Sequence, residues 1–176
     1  MPSTRLCLAS VAALAISTSI ASAQEAGLPG NASSLRESHG DWQVTCAVPE
    51  GVVHCAMSQT QVNGESRQRV VSIELANGGD TIAVNGALVL PFGLDLASGV
   101  ALRLDEASTG AAQPFRTCLP VGCVVDVAFE ANTVASIRAG SRLDVIATTD
   151  RGQEMIFTIS LSGFSSAHDR VSELLR

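Results

Sequence analysis

The sequence predicts an all-β domain, a β-sandwich with one or two short helices. Seven or eight segments alternate apolar and polar residues, and turn sequences containing glycine, asparagine or aspartate separate them. Only two short segments have helical periodicity. The chain has one Trp, five Phe and no Tyr, so we expect a core made mostly of valine, leucine and isoleucine.

The first two predicted strands form a hairpin. In GDWQVTC, Trp42 and Val44 alternate with polar neighbours, which is the pattern of a strand with one buried face. The turn PEG separates this strand from VVHCAMSQTQV. Cys46 and Cys55 should therefore lie on the two arms of the hairpin.

The middle of the chain supplies the next strands. They are RQRVVSIEL, TIAVNGALVLPFGLDL, GVALRLDE and GCVVDVAFE. Pro91 is expected at an edge or bend, because proline cannot donate to a strand ladder. The stretch from Ala87 to Leu102 is the most apolar, and we expect it to be mostly core; an exposed patch for a partner is the alternative. Asp126, between apolar neighbours, should point outward while Val125 and Val127 point inward.

The last third of the chain should contain both helices. NTVASIRAG predicts a short helix that is capped by Asn132 and ended by Gly140. SRLDVIATTD and QEMIFTISL then pair around the turn DRG. Ser166 and Asp169 have the spacing of a capping box, which predicts a final helix beginning there.

The first 23 residues have the pattern of a secretory signal peptide. Arg5 precedes an apolar, small-residue segment, and ASAQ predicts cleavage between Ala23 and Gln24. A membrane anchor is the alternative, but serine and threonine interrupt a run already shorter than the ~20 residues of a span. We expect a flexible leader over residues 24–40, one β-sandwich domain over residues 41–176, and a periplasmic, outer-envelope or secreted location.

The mature chain is acidic and contains no lysine. Its 10 arginines face 17 acidic residues, a formal charge of −7. This charge repels phosphate backbones, so we expect no nucleic-acid partner. No other apolar run is long enough to span a bilayer, which predicts a soluble product with no transmembrane segment.

The mature chain keeps an even number of cysteines. In an oxidising compartment this predicts disulfides, with three possible connectivities. Structural zinc and a redox pair are the alternatives, but one spacing is too long for a zinc knuckle and the other lies in a turn rather than at a helix start. We favour two local bonds, each stabilising the fold by about 2–3 kcal/mol: Cys46 with Cys55, and Cys118 with Cys123.

The sequence predicts neither an enzyme nor a cofactor or metal site. No serine lies in a G-x-S-x-G motif, and there is no calcium loop and no phosphate-binding glycine loop. Two alternatives stay open. One is a hydrolase whose Ser/His/acid set uses His54 or His168 and assembles only on folding. The other is a small-ligand or metal carrier with His54 and the cysteines as ligands.

Four blocks together resemble the invasion-associated locus B family of bacterial envelope proteins. They are GDWQVTC, LPFGLDLASGVALRLDE, PFRTCLPVGCVVDVAF and ISLSGFSSAHD, and they are spread over nearly all of the mature chain. The resemblance implies an immunoglobulin-like β-sandwich, export to the periplasm or outer envelope and, in pathogenic members, a link to host-cell invasion. It implies no catalytic residues. The framework positions that it implies, besides the cysteines, are Trp42, Gly93, Gly122, Ser162, Gly163 and Phe164. We therefore expect a non-catalytic binding module whose partner is another envelope protein or a host-surface component.

Overall fold

The structure is a computed structural model that describes residues 27–78 and 83–176. These residues form two antiparallel sheets and two α-helices. The strands are β1 (Ser34–His39), β2 (Trp42–Ala47), β3 (His54–Val62), β4 (Arg69–Asn77), β5 (Val84–Leu90), β6 (Val100–Leu104), β7 (Phe115–Leu119), β8 (Gly122–Phe129), β9 (Arg142–Thr148) and β10 (Glu154–Ser160). The helices are α1 (Ala131–Ala139) and α2 (Phe164–Leu174).

The larger sheet has seven strands in the order β1-β2-β3-β4-β5-β8-β7. Its first five strands are neighbours in both sequence and space, which makes them an antiparallel meander. Alternation sends every second side chain to one buried face, as Val44, Met57 and Leu75 show in successive strands. The smaller sheet has the order β10-β9-β6.

The core lies between the two sheets. Helix α2 packs against β1 to β4, and one cluster of buried side chains continues from the larger sheet into the smaller sheet and both helices. Apart from Trp42, Phe164 and two other phenylalanines, the buried apolar residues are mostly aliphatic, as the low aromatic content predicts. Within the described residues, no helix is long and apolar enough to cross a membrane.

The expected β-rich, two-sheet architecture with two short helices is confirmed. The immunoglobulin-like topology is not confirmed. An immunoglobulin sandwich divides its strands between two sheets by Greek-key connections. Here five successive strands stay in one sheet, and the second sheet holds only three strands.

The predicted flexible leader is wrong over residues Ser34–His39. Residues Ser34–His39 form β1, which pairs with all six residues of β2. Leu28 is only 3% exposed and belongs to the core. Pairing with β2 supplies the order that the polar composition of this segment does not indicate. The predicted signal peptide and its cleavage site lie outside the described residues.

The two helices are where the sequence predicts them, but their caps differ. Helix α1 ends before Gly140 as expected, whereas Asn132 lies inside the helix and Glu130 occupies the N-cap position. Helix α2 begins just after Gly163, whose φ of 89° turns the chain into the helix without a side-chain cap. The hydroxyl of Ser166 donates to the Gly163 carbonyl at 3.0 Å, so the predicted capping box is wrong.

Candidate functional site

Two sequence blocks from opposite ends of the domain cross at a backbone contact. One is Gly40-Asp41-Trp42 and the other is Ser162-Gly163-Phe164. The Trp42 and Phe164 rings meet edge to face with centroids 5.3 Å apart, and the Asp41 N–H donates to the Ser162 carbonyl at 3.0 Å. A Cβ on Gly163 would lie 1.9 Å from the His39 carbonyl oxygen. Only glycine permits this close approach, which gives the SGF block a structural role.

A buried glutamine completes this junction. The Gln59 side chain is 5% exposed. Its amide nitrogen donates to the Ser160 carbonyl at 2.9 Å and its amide oxygen accepts from the Ser160 N–H at 3.0 Å. The indole of Trp42 donates to the same carbonyl at 2.9 Å. Side chains from β2 and β3 thus make hydrogen bonds with the backbone of Ser160 at the outer edge of β10, and these bonds join the two sheets.

Four of the five cysteines form the two predicted disulfide bonds. Cys46 and Cys55 are opposite each other on β2 and β3, and Cys118 and Cys123 are opposite each other on β7 and β8. Their thiols are therefore not available as metal ligands. Residues 27–78 and 83–176 contain no cluster of three His, Cys, Asp or Glu side chains that could hold a metal ion.

The two remaining framework glycines have different roles. Gly122 has a φ of 134°, and a Cβ on it would lie 2.4 Å from the Leu90 carbonyl oxygen. Gly93 has a φ of 87° with no atom within 4 Å of a Cβ position. Only its backbone conformation requires glycine there.

The two histidines considered for catalysis lie in different parts of the fold. His168 stacks on Phe164, and its Nδ1 is 3.1 Å from the guanidinium of Arg138. Burial, and then the charge of Arg138, lower the pKa of His168. His54 lines a smaller cleft of about 410 Å³ on β2 and β3. Among the described residues, no hydrogen bond joins a histidine side chain to a serine hydroxyl.

A second cleft, with a volume of about 910 Å³, lies between the two sheets. One wall comes from β4, β5, β7 and β8, and the other from β6, the segment after it, β9 and α1. Its apolar lining residues are Leu102, Leu104, Val127, Phe129, Ile137 and Leu143. Its charged lining residues are Glu74, Arg116 and Asp126.

The path of the chain around Pro114 creates this cleft. Gln113 makes two backbone hydrogen bonds with Val100, of 2.7 and 2.9 Å, which hold this segment to the smaller sheet. Pro114 has no N–H, and β7 begins at the next residue, opposite Val125 of β8. Residues 126–129 of β8 therefore pair with β5 on one side and with no strand of the described chain on the other.

The solvent-facing side of the cleft is acidic and lined by small side chains. Glu74, Ala87 and Asp126 occupy one row across β4, β5 and β8. Asp126 points outward between buried Val125 and Val127, as predicted. The guanidinium of Arg116 is 3.4 Å from its carboxylate, in a pair with both side chains more than half exposed. Such a pair contributes little to folding stability.

The cleft was not predicted from the sequence. Its lining comes from six strands, one helix and the segment 105–114, which are distant in sequence. The available signal was Pro114, which separates a turn-rich segment from a strand only five residues long. That signal becomes informative only when the pairing partners of β7 and β8 are known.

Comparison with known proteins identifies relatives across most of the chain. The family model for invasion associated locus B (IalB) protein matches residues 42–172. An invasion protein B homologue of Brucella abortus is 42% identical over 158 residues, which are 88% of this chain and 89% of that protein. Invasion protein B of Bartonella bacilliformis is 35% identical over 152 residues, covering 85% and 81% respectively. The crystal structure of invasion associated protein B from Bartonella henselae has a TM-score of 0.73 at 33% identity, and the match covers 80% of this chain and 96% of that one. The chain therefore belongs to the invasion associated locus B family.

Proposed function

We propose that this protein is an exported, non-catalytic binding module of the bacterial envelope and that the 910 Å³ cleft is its binding site. The observation that carries the proposal is the cleft itself, which combines an apolar wall with an acidic rim. Apolar surface gives binding energy when it is buried, and a few charged groups orient the ligand. The partner is another envelope protein or a host-surface component.

An extracytoplasmic location supports this proposal. Both disulfide bonds require an oxidising compartment to persist. The amino-terminal sequence has the pattern of a signal peptide cut after Ala23, which would deliver the mature chain to the periplasm or beyond. The names of the relatives refer to invasion, and a role of this chain in host-cell invasion is part of the proposal.

A small-ligand carrier is the second candidate. The cleft volume falls within the roughly 300–1,000 Å³ range of small-molecule sites. Native mass spectrometry of protein purified from its own envelope separates the candidates. A reproducible added mass below about 1 kDa favours a carrier, and an unliganded mass that starts at Gln24 favours the protein-binding role.

Site-specific photo-crosslinking tests the binding role directly. A photoreactive amino acid replaces Ser108, an exposed residue of the cleft wall, and in a matched variant it replaces Gln153, an exposed turn residue outside the cleft. Both variants are expressed at native level in the envelope. We expect a reproducible protein adduct from position 108 that is weak or absent from position 153. Equal labelling from both positions, or no adduct from position 108, would reject the cleft as the partner site.

A further inference from the structure

The free edge of β8 gives the cleft a specific mode of recognition. We propose that an extended peptide segment of the partner adds to β8 as a further strand, in line with β7, and that this segment alternates basic and apolar side chains. This inference rests on the proposed binding function and adds the chemistry of the ligand. The following geometry supports it.

The first support is the direction of the backbone groups. A two-residue loop joins Leu119 to Gly122, and in such a hairpin the closing residues exchange both of their backbone hydrogen bonds. The N–H and C=O groups of Gly122 therefore point toward β7. Because the direction alternates along a strand and the β8 register with β5 is unbroken, the backbone groups of Asp126 and Ala128 point the same way. Beyond the end of β7, they point into the cleft.

The second support is that the fold keeps this edge open. Pro114 has no backbone N–H to donate to β8. Regular pairing of β7 with β8 therefore does not extend from Phe115 toward the amino terminus. The preceding residues are held away from β8, because Gln113 pairs with Val100 and the Gly110 N–H donates to the Leu102 carbonyl at 2.8 Å. Unpaired strand edges are templates for another strand, and proteins usually cover them. Here the edge lies within a cleft, where it admits one extended chain.

The third support is the chemistry on the two sides of this edge. A side chain opposite Val127 would enter the apolar part of the cleft, next to Leu102 and Ile137. Side chains opposite Asp126 and Ala128 would lie on the solvent side, where Asp126 and Glu74 are acidic. The exposed Arg116 is 3.4 Å from Asp126, and a basic side chain of the ligand would share this carboxylate with it. Opposite charges directly across two strands attract, whereas like charges repel. The edge therefore selects an apolar residue flanked by basic residues, and the net charge of −7 favours the same partners.

The test begins with peptides selected against the disulfide-intact mature protein. A displayed library of random peptides of about twelve residues, twice the usual strand length, serves as the probe. We expect enriched peptides that alternate arginine or lysine with apolar residues. Their affinities are then measured for the wild type and for two variants at one position. Ala128→Pro removes the N–H at the open edge, and Ala128→Val keeps it as the matched control.

The expected result is selective for the backbone group. Affinity should fall at least about tenfold for Ala128→Pro, because a pairing hydrogen bond is lost and its acceptor is left unpaired, and should change less than about threefold for Ala128→Val. Independently of any protein variant, N-methylation of alternate peptide amides should abolish binding in one register and spare it in the other. Hydrogen exchange should slow at the Asp126 and Ala128 amides on peptide addition.

Several outcomes would overturn strand addition. They are a library that enriches no peptide, peptides that bind equally well after N-methylation in either register, and binding without protection of the two β8 amides. A peptide or partner that enters the cleft without backbone pairing would leave the binding function standing and reject only this inference. Crosslinking from position 153 alone would reject the cleft as the binding site, so the two failures are distinguishable.

Discussion

The contact between Gly163 and the turn after β1 should control the stability of the whole domain. We consider the substitution Gly163→Ala. A Cβ at this position would lie 1.9 Å from the His39 carbonyl oxygen and 2.5 Å from its carbonyl carbon. Both atoms are backbone, so rotation of a side chain cannot relieve the overlap. The turn of β1 and β2 has to move away from the start of α2.

The expected cost has two parts. Gly163 has a φ of 89°, and a residue with a Cβ in the left-handed region costs about 1–2 kcal/mol. Forcing an extra carbon into a closely packed contact adds about 1–3 kcal/mol. The displacement also weakens the hydrogen bond from Asp41 to Ser162. The free energy of unfolding should therefore fall by about 2–5 kcal/mol.

The same substitution at Gly93 separates the two parts. Gly93 has a φ of 87°, but no atom lies within 4 Å of its Cβ position. Gly93→Ala should therefore lose only the conformational part, about 1–2 kcal/mol. Both variants and the wild type are unfolded in urea with their disulfides intact. Fluorescence of Trp42, the single tryptophan, and far-ultraviolet circular dichroism follow the transition.

We expect the free energies of unfolding of the two variants to differ by about 1–3 kcal/mol. If Gly163→Ala were as stable as Gly93→Ala within about 0.5 kcal/mol, the close backbone approach would not hold the ends of the domain together. Coincident transitions by the two methods are needed for the comparison, because Trp42 packs against Phe164 next to the substitution.

Three further predictions concern the buried polar groups and a disulfide. Asp144→Asn should destabilise the protein by about 2 kcal/mol at neutral pH. Burial raises the pKa of Asp144, but hydrogen bonds from Thr158 and two arginines outweigh it, so the pKa lies below its ordinary value of 3.8. Because the pKa of Asp144 is lowered in the folded state, its carboxylate stabilises the fold above pH 3.8, and this stabilisation is lost as the pH falls. The difference in urea midpoint between Asp144→Asn and the wild type should therefore shrink below pH 3.8. A constant difference would contradict the ion-pair account. Gln59→Met should cost about 2 kcal/mol in urea unfolding, because it leaves the Ser160 N–H without its partner, and an unchanged midpoint would argue against that contact. The double substitution Cys46→Ala and Cys55→Ala should lower the free energy of unfolding by about 2–3 kcal/mol. Reduction of the wild type, which breaks both disulfide bonds, should lower it by at least as much.

The structure also explains how the sequence blocks that characterise the family are related. The blocks around Trp42 and around Phe164 are far apart in the chain, yet they form one contact. The block containing Cys118 and Cys123 instead forms the hairpin of β7 and β8. Pairing in this hairpin stops at Phe115, which leaves one edge of β8 open. The contact between Trp42 and Phe164 and the proposed binding site are therefore separate, so variants of that contact and variants of the binding site can be designed independently.

Much of the architecture follows from local patterns that the sequence carries by itself. Alternation of apolar and polar residues determines which face of β2 or β4 is buried, because successive side chains point to opposite sides of a strand. The even number of cysteines and their spacing within hairpins predict both disulfides. The aliphatic composition predicts the kind of core.

Other features depend on contacts between distant segments, and only the tertiary structure decides them. Ser34–His39 is polar and has little strand signal, but the unpaired edge of β2 makes it a strand. The start of α2 depends on Gly163 meeting His39 rather than on a local capping box. The cleft depends on the segment before Pro114 joining one sheet while the residues after it join the other. Short-range periodicity indicates which side of the sheet a side chain points to. It does not indicate which strands pair, and an open strand edge depends on that pairing.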